Sequence, residues 1–556
     1  MYKRQGNLDA HQLLGLIYAN RAERPDRGAS SVPDAERGIT HLEKGRDPLA
    51  PDPRLELTLA RLYPATKNAP QAIKVLTDLL EDEGSFTDGE LLLADAYEQA
   101  GERDQAITFL EAATTRDRPS ARTLARLAEL YEGAQRWKDA AAAYGQAAER
   151  SPRSSRELKR RQATALLETG ETTAARDVLR EVVAGDPPDG TALYLLSEIE
   201  LQLKNFDAAE DAARRLMRAE PDGLRGAYAL ALVQAERREH RNVIETLEPA
   251  IANARRRSNV PPAQLASLLA RVAAAYQDLG DYNRAIAAYR DALQATPSDL
   301  GLQARLTQTY IDAGRLSEAL EVVRGAQRVH PGNLTLTRLE ADALGKRGEV
   351  DDAIKVLRAA LDANPDEPLS YVVLSDFYAA RQRVDDAVDV LESARQKFPD
   401  DLTILFHLGS VLERGRRFDD AERRFREVID RDPKHANALN YLGYMLAERG
   451  ERLEESVRLL LRAIEIDPHN GSYLDSLGWA YYKLNRLDLA EPPLRQASDQ
   501  LLTNSVVQDH MGDLLFKLGR VDEAIAAWER ALAGDRDSID PKTIEQKIRD
   551  ARRGRP

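Results

Sequence analysis

Proline residues recur along this 556-residue chain at a nearly constant interval. Most of the regular intervals are 34 residues long, and those that end at Pro187 and Pro468 are 35 residues long. The prolines that show the interval are Pro152, Pro187, Pro221, Pro297, Pro331, Pro365, Pro399, Pro433 and Pro468. A chain of this length is too long for a single hydrophobic core. A fixed interval of this size therefore predicts stacked structural repeats that form a solenoid.

Each interval has the same internal pattern, which residues 268–299 illustrate. The first apolar stripe contains Leu269, Val272 and Tyr276, and the second contains Ala285, Ala288, Tyr289 and Ala292. Both stripes have the period of an α-helix. Gly280 lies between them and is suited to a turn with positive φ, while Pro297 suits the gap before the next helix. The pattern predicts two helices whose small residues allow close packing.

The same pattern recurs elsewhere in the chain. It recurs as Ala128, Tyr131, Ala140, Tyr144, Ala147 and Pro152, as Gly409, Ala421, Phe425 and Pro433, and as Gly512, Gly519, Ala524, Trp528 and Ala531. These residues resemble the tetratricopeptide repeat (TPR), in which small and large apolar residues on two helices are followed by a late proline. The resemblance implies an all-α fold: a TPR superhelical solenoid of antiparallel helix pairs with about fifteen repeats.

The strength of the pattern divides the chain into segments. We expect divergent TPR-like repeats at 6–119, TPR repeats at 120–223, an irregular repeat or joint at 224–265, regular TPR repeats at 266–537, and a capping helix with a tail at 538–556. Residues 1–5 run directly into a helical pattern, and we interpret them as a non-native sequence scar. On this interpretation the native start lies upstream, with any signal sequence or lipid-anchored cysteine.

Motifs and composition argue against catalysis, metals and cofactors. The chain has no cysteine, and no two of its eight histidines have a helical metal-ligand spacing. No phosphate-binding loop, dinucleotide fingerprint or nucleophile elbow occurs. Pairs of aspartates stand where second helices begin, at Asp351-Asp352, Asp385-Asp386 and Asp419-Asp420. Acids stabilise a helix N-terminus. We therefore predict that the protein is not an enzyme and binds no cofactor.

The charge of the chain bears on its partners. The formal net charge is −13, which disfavours a large nucleic-acid surface. The basic C-terminal end resembles a short nucleic-acid tail, but a solvated cap explains it better. No apolar run is long enough for a transmembrane helix. We predict protein or peptide partners, with no nucleic acid.

Aromatic and acidic residues occupy one face of the first helix in the last three full repeats. We predict that they form a partner-binding groove, with members at Asn440, Tyr441, Tyr444, Asp475, Trp479, Tyr482, Asp509, His510, Asp513 and Phe516. Such a groove suits an extended peptide or a helix with basic residues. The alternative is that these aromatic rings pack against a neighbouring helix. Trp479 is the preferred anchor because Leu474, Leu477, Gly478 and Tyr481 already fill the core positions of its repeat.

A second set of candidate binding residues is basic. Arginines fall at one helix position in two pairs of adjacent repeats, as Arg126 with Arg161 and Arg271 with Arg305. Their guanidinium groups suit carboxylate ligands. The alternative, which the pattern favours, is that they pair with glutamates of a neighbouring repeat. A eukaryotic co-chaperone TPR family binds a peptide carboxylate through a clamp that includes asparagines, and this chain lacks those asparagines at the expected places.

Residues 436–520 carry a closer resemblance. The stretches "SYLDSLGWAYYKL" and "DHMGDLLFKLGRVDEAIAAWERAL", with the extra residue in the turn "GERLEES", resemble the C-terminal repeats of bacterial envelope TPR proteins, many of which are lipoproteins. Some members of that group bind a periplasmic processing protease and present its substrates, and others organise envelope assembly machinery. The resemblance implies an adaptor in the bacterial periplasm or cell envelope. The alternatives are a regulatory TPR region of a larger enzyme and a cytoplasmic scaffold.

Overall fold

The structure is a computed structural model, and it describes residues 2–23, 32–47, 52–82, 84, 86–115, 118–257, 260–535 and 539–554. These residues form 31 α-helices, with no β-strand among them. The side chains of residues 2–6 are not part of the description. Met1 of the predicted scar lies outside the described residues, and the interpretation of residues 1–5 stays a prediction.

The chain divides into two compact units, Met1–Ala295 and Thr296–Pro556. The first unit contains α1 (Tyr2–Glu23), α2 (Val32–Gly45), α3 (Pro53–Ala65), α4 (Ala69–Asp82), α5 (Thr87–Gln99), α6 (Arg103–Thr114), α7 (Ala121–Gly133), α8 (Trp137–Arg150), α9 (Ser155–Glu168), α10 (Thr172–Val183), α11 (Gly190–Gln202), α12 (Phe206–Ala219), α13 (Arg225–Glu236), α14 (His240–Arg255), α15 (Pro262–Asp278) and α16 (Tyr282–Ala295).

The second unit has the same kind of helices. It contains α17 (Leu300–Asp312), α18 (Leu316–Val329), α19 (Leu334–Lys346), α20 (Val350–Ala363), α21 (Pro368–Ala379), α22 (Val384–Lys397), α23 (Leu402–Arg414), α24 (Phe418–Arg431), α25 (Ala436–Arg449), α26 (Leu453–Ile466), α27 (Gly471–Lys483), α28 (Leu487–Gln500), α29 (Ser505–Lys517), α30 (Val521–Ala533) and α31 (Pro541–Arg553).

Helices α1 to α30 form fifteen consecutive pairs, each made of a first helix, here called helix A, and a second, helix B. Within each unit a helix packs on its sequence neighbours, and many A helices also contact the next A helix, as α25 does α27. The predicted all-α solenoid of about fifteen antiparallel helix pairs is confirmed. Because packing is between neighbours, each repeat depends on the one beside it for its core.

A short turn with positive φ joins helix A to helix B in many of the pairs. Gly280 has φ of 75°, as its position predicts. In other turns the same conformation is held by larger residues, such as Arg416 with φ of 58°. In the turn with the extra residue, Gly450 and Arg452 both have positive φ. The Arg416 N–H donates to the backbone carbonyl of Glu413. Such bonds satisfy carbonyl groups at the C-terminal end of helix A.

Helix B approaches helix A closely where helix A carries a small residue. An added Cβ at Gly409 would lie 2.7 Å from the buried ring of Phe425, and one at Gly443 would lie 2.6 Å from Leu460. Both distances are shorter than a van der Waals contact, so only glycine fits without a shift of the neighbouring helix. The small residue therefore allows the close packing of α24 on α23 and of α26 on α25.

Two predicted segments have definite structures. The segment predicted as an irregular joint, 224–265, contains the helix pair α13 and α14, and the division into two units falls after Ala295. The segment 538–556 contains α31, which buries Ile544, Ile548 and Ala551 beside α30 and exposes mostly polar residues. The domain boundaries themselves stay predictions.

Candidate functional site

The predicted aromatic and acidic residues lie on three successive A helices, α25, α27 and α29. Together with α23, these helices present one row of side chains within the second unit. We define the C-terminal A-helix face by Phe406, Glu413, Asn440, Tyr441, Tyr444, Glu448, Asp475, Trp479, Tyr482, Asp509, His510, Asp513 and Phe516. Residues three, four and seven apart share one side of a helix, so the repeat frame brings them into one row.

Trp479 lies at the centre of a stack of rings. Its ring centroid is 3.9 Å from that of His510 and 4.8 Å from that of Tyr482, and both pairs are nearly parallel. The indole N–H donates to a carboxylate oxygen of Glu448 at 2.6 Å. Only 7% of Trp479 is exposed. The expectation that this ring is an accessible anchor is therefore corrected: His510 of the next repeat covers it.

His510 and Asp475 form a buried pair on adjacent A helices. Nδ1 of His510 is 3.1 Å from both carboxylate oxygens of Asp475, and both residues are less than 7% exposed. Burial would lower the pKa of His510, but the charge and hydrogen bond of Asp475, with the charges of Asp509 and Glu448, raise the pKa above its ordinary value. The pair links α27 to α29 beneath the Trp479 ring.

The acids of α29 are held by a lysine of the last helix. Lys547 of α31 donates to Asp509 at 2.8 Å and to Asp513 at 2.7 Å. Asp513 also accepts from the indole N–H of Trp528 at 3.1 Å. Phe516 is 46% exposed and lies beside Trp528. At this end of the face, the predicted acids are engaged within the chain and Phe516 is accessible.

The predicted polar side chains of α25 have fewer hydrogen-bond partners than those of α27 and α29. Asn440 is 8% exposed, and its Oδ1 has no hydrogen-bond partner among the described residues. Tyr444 is partly exposed; burial and the charges of Glu448, Asp475 and Glu413 raise its pKa above its ordinary value. Tyr441 is 40% exposed, with its ring edge-on to Phe406 at 5.1 Å.

Comparison with family models identifies these repeats. Models described as tetratricopeptide repeat match residues 125–190, 160–223, 338–401 and 406–471, residues 276–343, and residues 91–122. The matched segments together cover more than half of the chain. The chain belongs to the tetratricopeptide repeat family. A comparison with curated proteins found no similar sequence.

Several solved structures are similar to this TPR protein. Yeast Tom70 shares 14% identity over 78% of this chain and 95% of that chain, with a TM-score of 0.41. The APC/C assembly Cut9–Hcn1 shares 15% identity over 90% of this chain and 97% of that chain, with a TM-score of 0.35. A thermophilic TPR protein of Thermus thermophilus shares 22% identity over 33% of this chain and 98% of that chain, with a TM-score of 0.30.

The four predicted arginines of this TPR protein differ in their contacts. Arg126 pairs with Asp95 and Glu98 of the preceding A helix and with Glu129 of its own, and Arg161 pairs with Glu129 and Glu132 of the preceding A helix. Arg271 is partly exposed and Arg305, in the second unit, is exposed. The first pair forms an ion-pair network between repeats, and a partner-binding role for all four stays a prediction.

Sequence reasoning missed two residues of the C-terminal A-helix face, Glu413 and Glu448, and one residue that contacts the face, Lys547. Glu413 occupies the same A-helix position as Ala447 and Tyr482, but it belongs to the repeat before the last three full repeats. Glu448 lies one position further along α25, and Lys547 lies outside the repeats in α31. The repeat frame, extended by one repeat, would have found Glu413. No sequence signal points to the pairing of Lys547.

The described residues contain no group of three or more side chains that could hold a metal ion. Nδ1 of His11 and Nδ1 of His41 are 2.9 Å apart, which brings two histidines together that the sequence separates. None of the described helices is long and apolar enough to cross a membrane. The paired aspartates lie in the first turns of α20, α22 and α24, where Asp386 and Asp420 accept from Arg383 and Arg417.

Proposed function

We propose that this chain is a non-catalytic scaffold that binds protein or peptide partners along its C-terminal A-helix face. The observation that carries the proposal is the continuous row of rings on successive A helices, in which Tyr444, Trp479 and Tyr482 are flanked by the exposed rings of Tyr441 and Phe516. Aromatic rings supply much contact area at little entropic cost, and preformed rows of them favour binding of a peptide. TPR proteins commonly bind protein partners in this way.

The proposed role within the cell is that of an adaptor. The resemblance of residues 436–520 to envelope TPR proteins supports a place in the bacterial periplasm or cell envelope, with a lipid anchor upstream of the present sequence. There the adaptor brings a protease or an envelope assembly enzyme to its substrates. Binding on a rigid, extended surface suits this role because two partners can occupy different repeats of one scaffold.

The test places a photo-crosslinking amino acid at Tyr441 or at Phe516, the two exposed aromatic positions of the face, in cells that make the chain. The matched control is Leu461, which is 41% exposed on helix B α26. We expect the same partner to crosslink at both face positions and not at Leu461. Equal crosslinking at all three positions would contradict a partner site on the A helices. Fractionation of the crosslinked complex with the envelope tests the adaptor role.

A further inference from the structure

Two neighbouring A helices of the C-terminal A-helix face end with an aromatic residue followed by a lysine. They are α27, which ends with Tyr482 and Lys483, and α29, which ends with Phe516 and Lys517. The two lysines are 34 residues apart, so they occupy equivalent positions of adjacent repeats, and their helices contact each other. Phe516 and Lys517 are exposed, while Tyr482 and Lys483 are partly exposed. All four side chains are therefore accessible to a partner.

Aromatic rings of the face hold both ammonium groups in place. Lys483 Nζ is 4.9 Å from the centroid of the Trp479 ring, and Lys517 Nζ is 4.6 Å from that of the Tyr482 ring. The two rings are stacked, with their centroids 4.8 Å apart. A continuous series of contacts therefore leads from one ammonium group to the other. An ammonium group held over a ring is already positioned before a partner binds, which lowers the entropic cost of binding.

The two lysines differ in the acids beside them. Lys483 reaches back to α25, where its Nζ is 3.2 Å from the backbone carbonyl oxygen of Glu448 and 3.7 Å from the carboxylate. In the repeat frame Lys483 itself corresponds to Glu448, so Lys517 meets no acid at the same place of α27. Asp513 lies one turn before Lys517, but its carboxylate accepts from Lys547. Among the described residues, Lys517 has no carboxylate within ion-pair distance.

The acids of α27 and α29 already have donors within the chain. Asp475 is paired with the buried ring of His510 at 3.1 Å. Asp509 and Asp513 both accept from Lys547. The accessible charge that is left at the end of these helices is that of the exposed lysine that ends α29. Charge complementarity therefore favours an acidic partner at this place.

We propose that the side-chain carboxylate of an acidic partner segment binds Lys517, with Lys483 as the second cation, and that an apolar residue beside that carboxylate covers Phe516. This inference rests on the proposed function, since it names the chemistry of a partner on the same face. An ammonium group has three donors and no acceptor, and a carboxylate only accepts, so the two groups are complementary. The proposed charge is opposite to that of the basic partner expected from the sequence.

The test is a selection of random peptides displayed on phage against the full chain. A displayed peptide continues into the coat protein, so a fixed acid in it is a side chain and not a free C-terminus. The expected result is a set of enriched peptides with aspartate or glutamate at one fixed position and an apolar residue beside it. Enriched peptides whose fixed residue is basic, or that share no charged position, would overturn this inference and leave the proposed function standing. Failure to enrich any peptide over an unrelated protein would overturn both.

Variants then assign the fixed acid to Lys517. Lys517→Gln is expected to weaken binding of the selected peptide about five-fold, the upper end of the range for an exposed ion pair. The matched control, Lys434→Gln, removes the same charge from an exposed lysine in the turn before α25 and should leave binding unchanged. An equal loss in both variants would show a general attraction between charges and contradict the site.

Two further variants separate binding from folding. Lys517→Glu should select peptides with lysine or arginine at the same fixed position, a reversal that an unfolded variant does not show. Phe516→Ser should keep the fixed acid in the selected peptides but lose the apolar preference beside it. Because both residues are exposed, we expect the helical content of both variants to stay close to that of the wild type. A Lys517→Glu variant that still selects acidic peptides would place the acid elsewhere and overturn the site.

Discussion

Residues of the two neighbouring repeats bury Trp479. The sequence of its own repeat does not show this burial. The ring has core positions on one side, but His510 of α29 and Glu448 of α25 enclose the other. The same residue therefore serves both packing and the shape of the C-terminal A-helix face. Its edge and the exposed rings beside it remain for a partner, while its loss removes contacts between three repeats.

Replacement of Trp479 tests this double role. Trp479→Ala leaves a large cavity and removes the ring that stacks on His510 and Tyr482, so we expect a loss of about 3–5 kcal/mol from the last repeats. The measurement is hydrogen exchange of the α27 and α29 amides. Tyr441→Ala, which removes an exposed ring of the same face, is the control and should change protection little. Unchanged protection in Trp479→Ala would show that the ring is not packed.

The His510–Asp475 pair predicts a pH dependence of stability. The folded pKa of His510 is raised, so its contribution is fully present below the unfolded value of about 6.5 and is lost as pH rises through the folded value. We therefore expect the melting temperature of the wild type to fall relative to that of His510→Gln over this rise in pH. His469→Gln, at an exposed histidine, should instead follow the wild type. A difference in melting temperature between wild type and His510→Gln that stays constant with pH would contradict the pairing.

The candidate site was only partly predictable from single residues. The repeat frame placed Tyr444, Asp475 and His510 on one row because equivalent positions of stacked helices are neighbours. It did not show that His510 covers Trp479, since stacking of rings depends on side-chain rotamers in two repeats. It also gave no sign that the amide oxygen of Asn440 lacks a donor. Whether a polar group has a hydrogen-bond partner depends on how the side chains pack in the folded structure.

At the scale of the helix pair, one small residue of helix A sets the distance between helix A and helix B. The Phe425 ring of α24 lies against Gly409 of α23, and there is no room for a side chain between them. Helix propensity favours alanine over glycine by about 1 kcal/mol. The overlap opposes that gain, because in a close-packed interior an added methyl group displaces atoms of the neighbouring helix. Packing therefore decides the sign of the substitution.

Two glycine substitutions separate packing from propensity. Gly409→Ala is expected to destabilise the protein by about 1–3 kcal/mol, since its Cβ overlaps a buried ring. Gly325→Ala, in the middle of α18, meets only the end of the flexible Arg328 side chain and should stabilise by about 0.5–1 kcal/mol. Urea denaturation followed by circular dichroism measures both. Stabilisation by both variants would show that the helices separate easily.

The elements themselves were largely predictable. Alternating apolar stripes and turn residues fix where each helix begins and ends, because a helix with one apolar stripe must pack against another. Gly280 was recognised as a turn residue by its type. The turns at Arg416 and Lys204 were not, since arginine and lysine rarely have positive φ and the conformation there is imposed by the helices on either side.

At the scale of the whole molecule, stability is distributed among neighbours. Helices contact those next to them in each unit, so a repeat is supported by its own core and by the two interfaces it shares. A defect in one repeat is then felt by adjacent repeats and less by those further along. The long-range order of a globular core, in which every element touches a common centre, is absent from the contacts of the described residues.

A core substitution in the middle of the second unit measures how far a defect extends. Leu391 of α22 is fully buried, and Leu391→Ala should cost about 2–5 kcal/mol. We expect faster hydrogen exchange in α20 to α24 and little change in α29 and α30. Leu369→Ala, which truncates a leucine that is 49% exposed on α21, is the control. A uniform loss of protection through the unit would contradict a neighbour-by-neighbour array.

The pairing of each helix with its immediate neighbours has a consequence for inheritance. A duplicated or deleted stretch of gene that spans one whole repeat gives a chain in which every surviving interface has a partner of the same kind. The protein can therefore lengthen or shorten in steps without a new core having to arise. Each step adds or removes the binding surface that one repeat contributes. The size of the binding surface can therefore change during evolution while the fold stays the same.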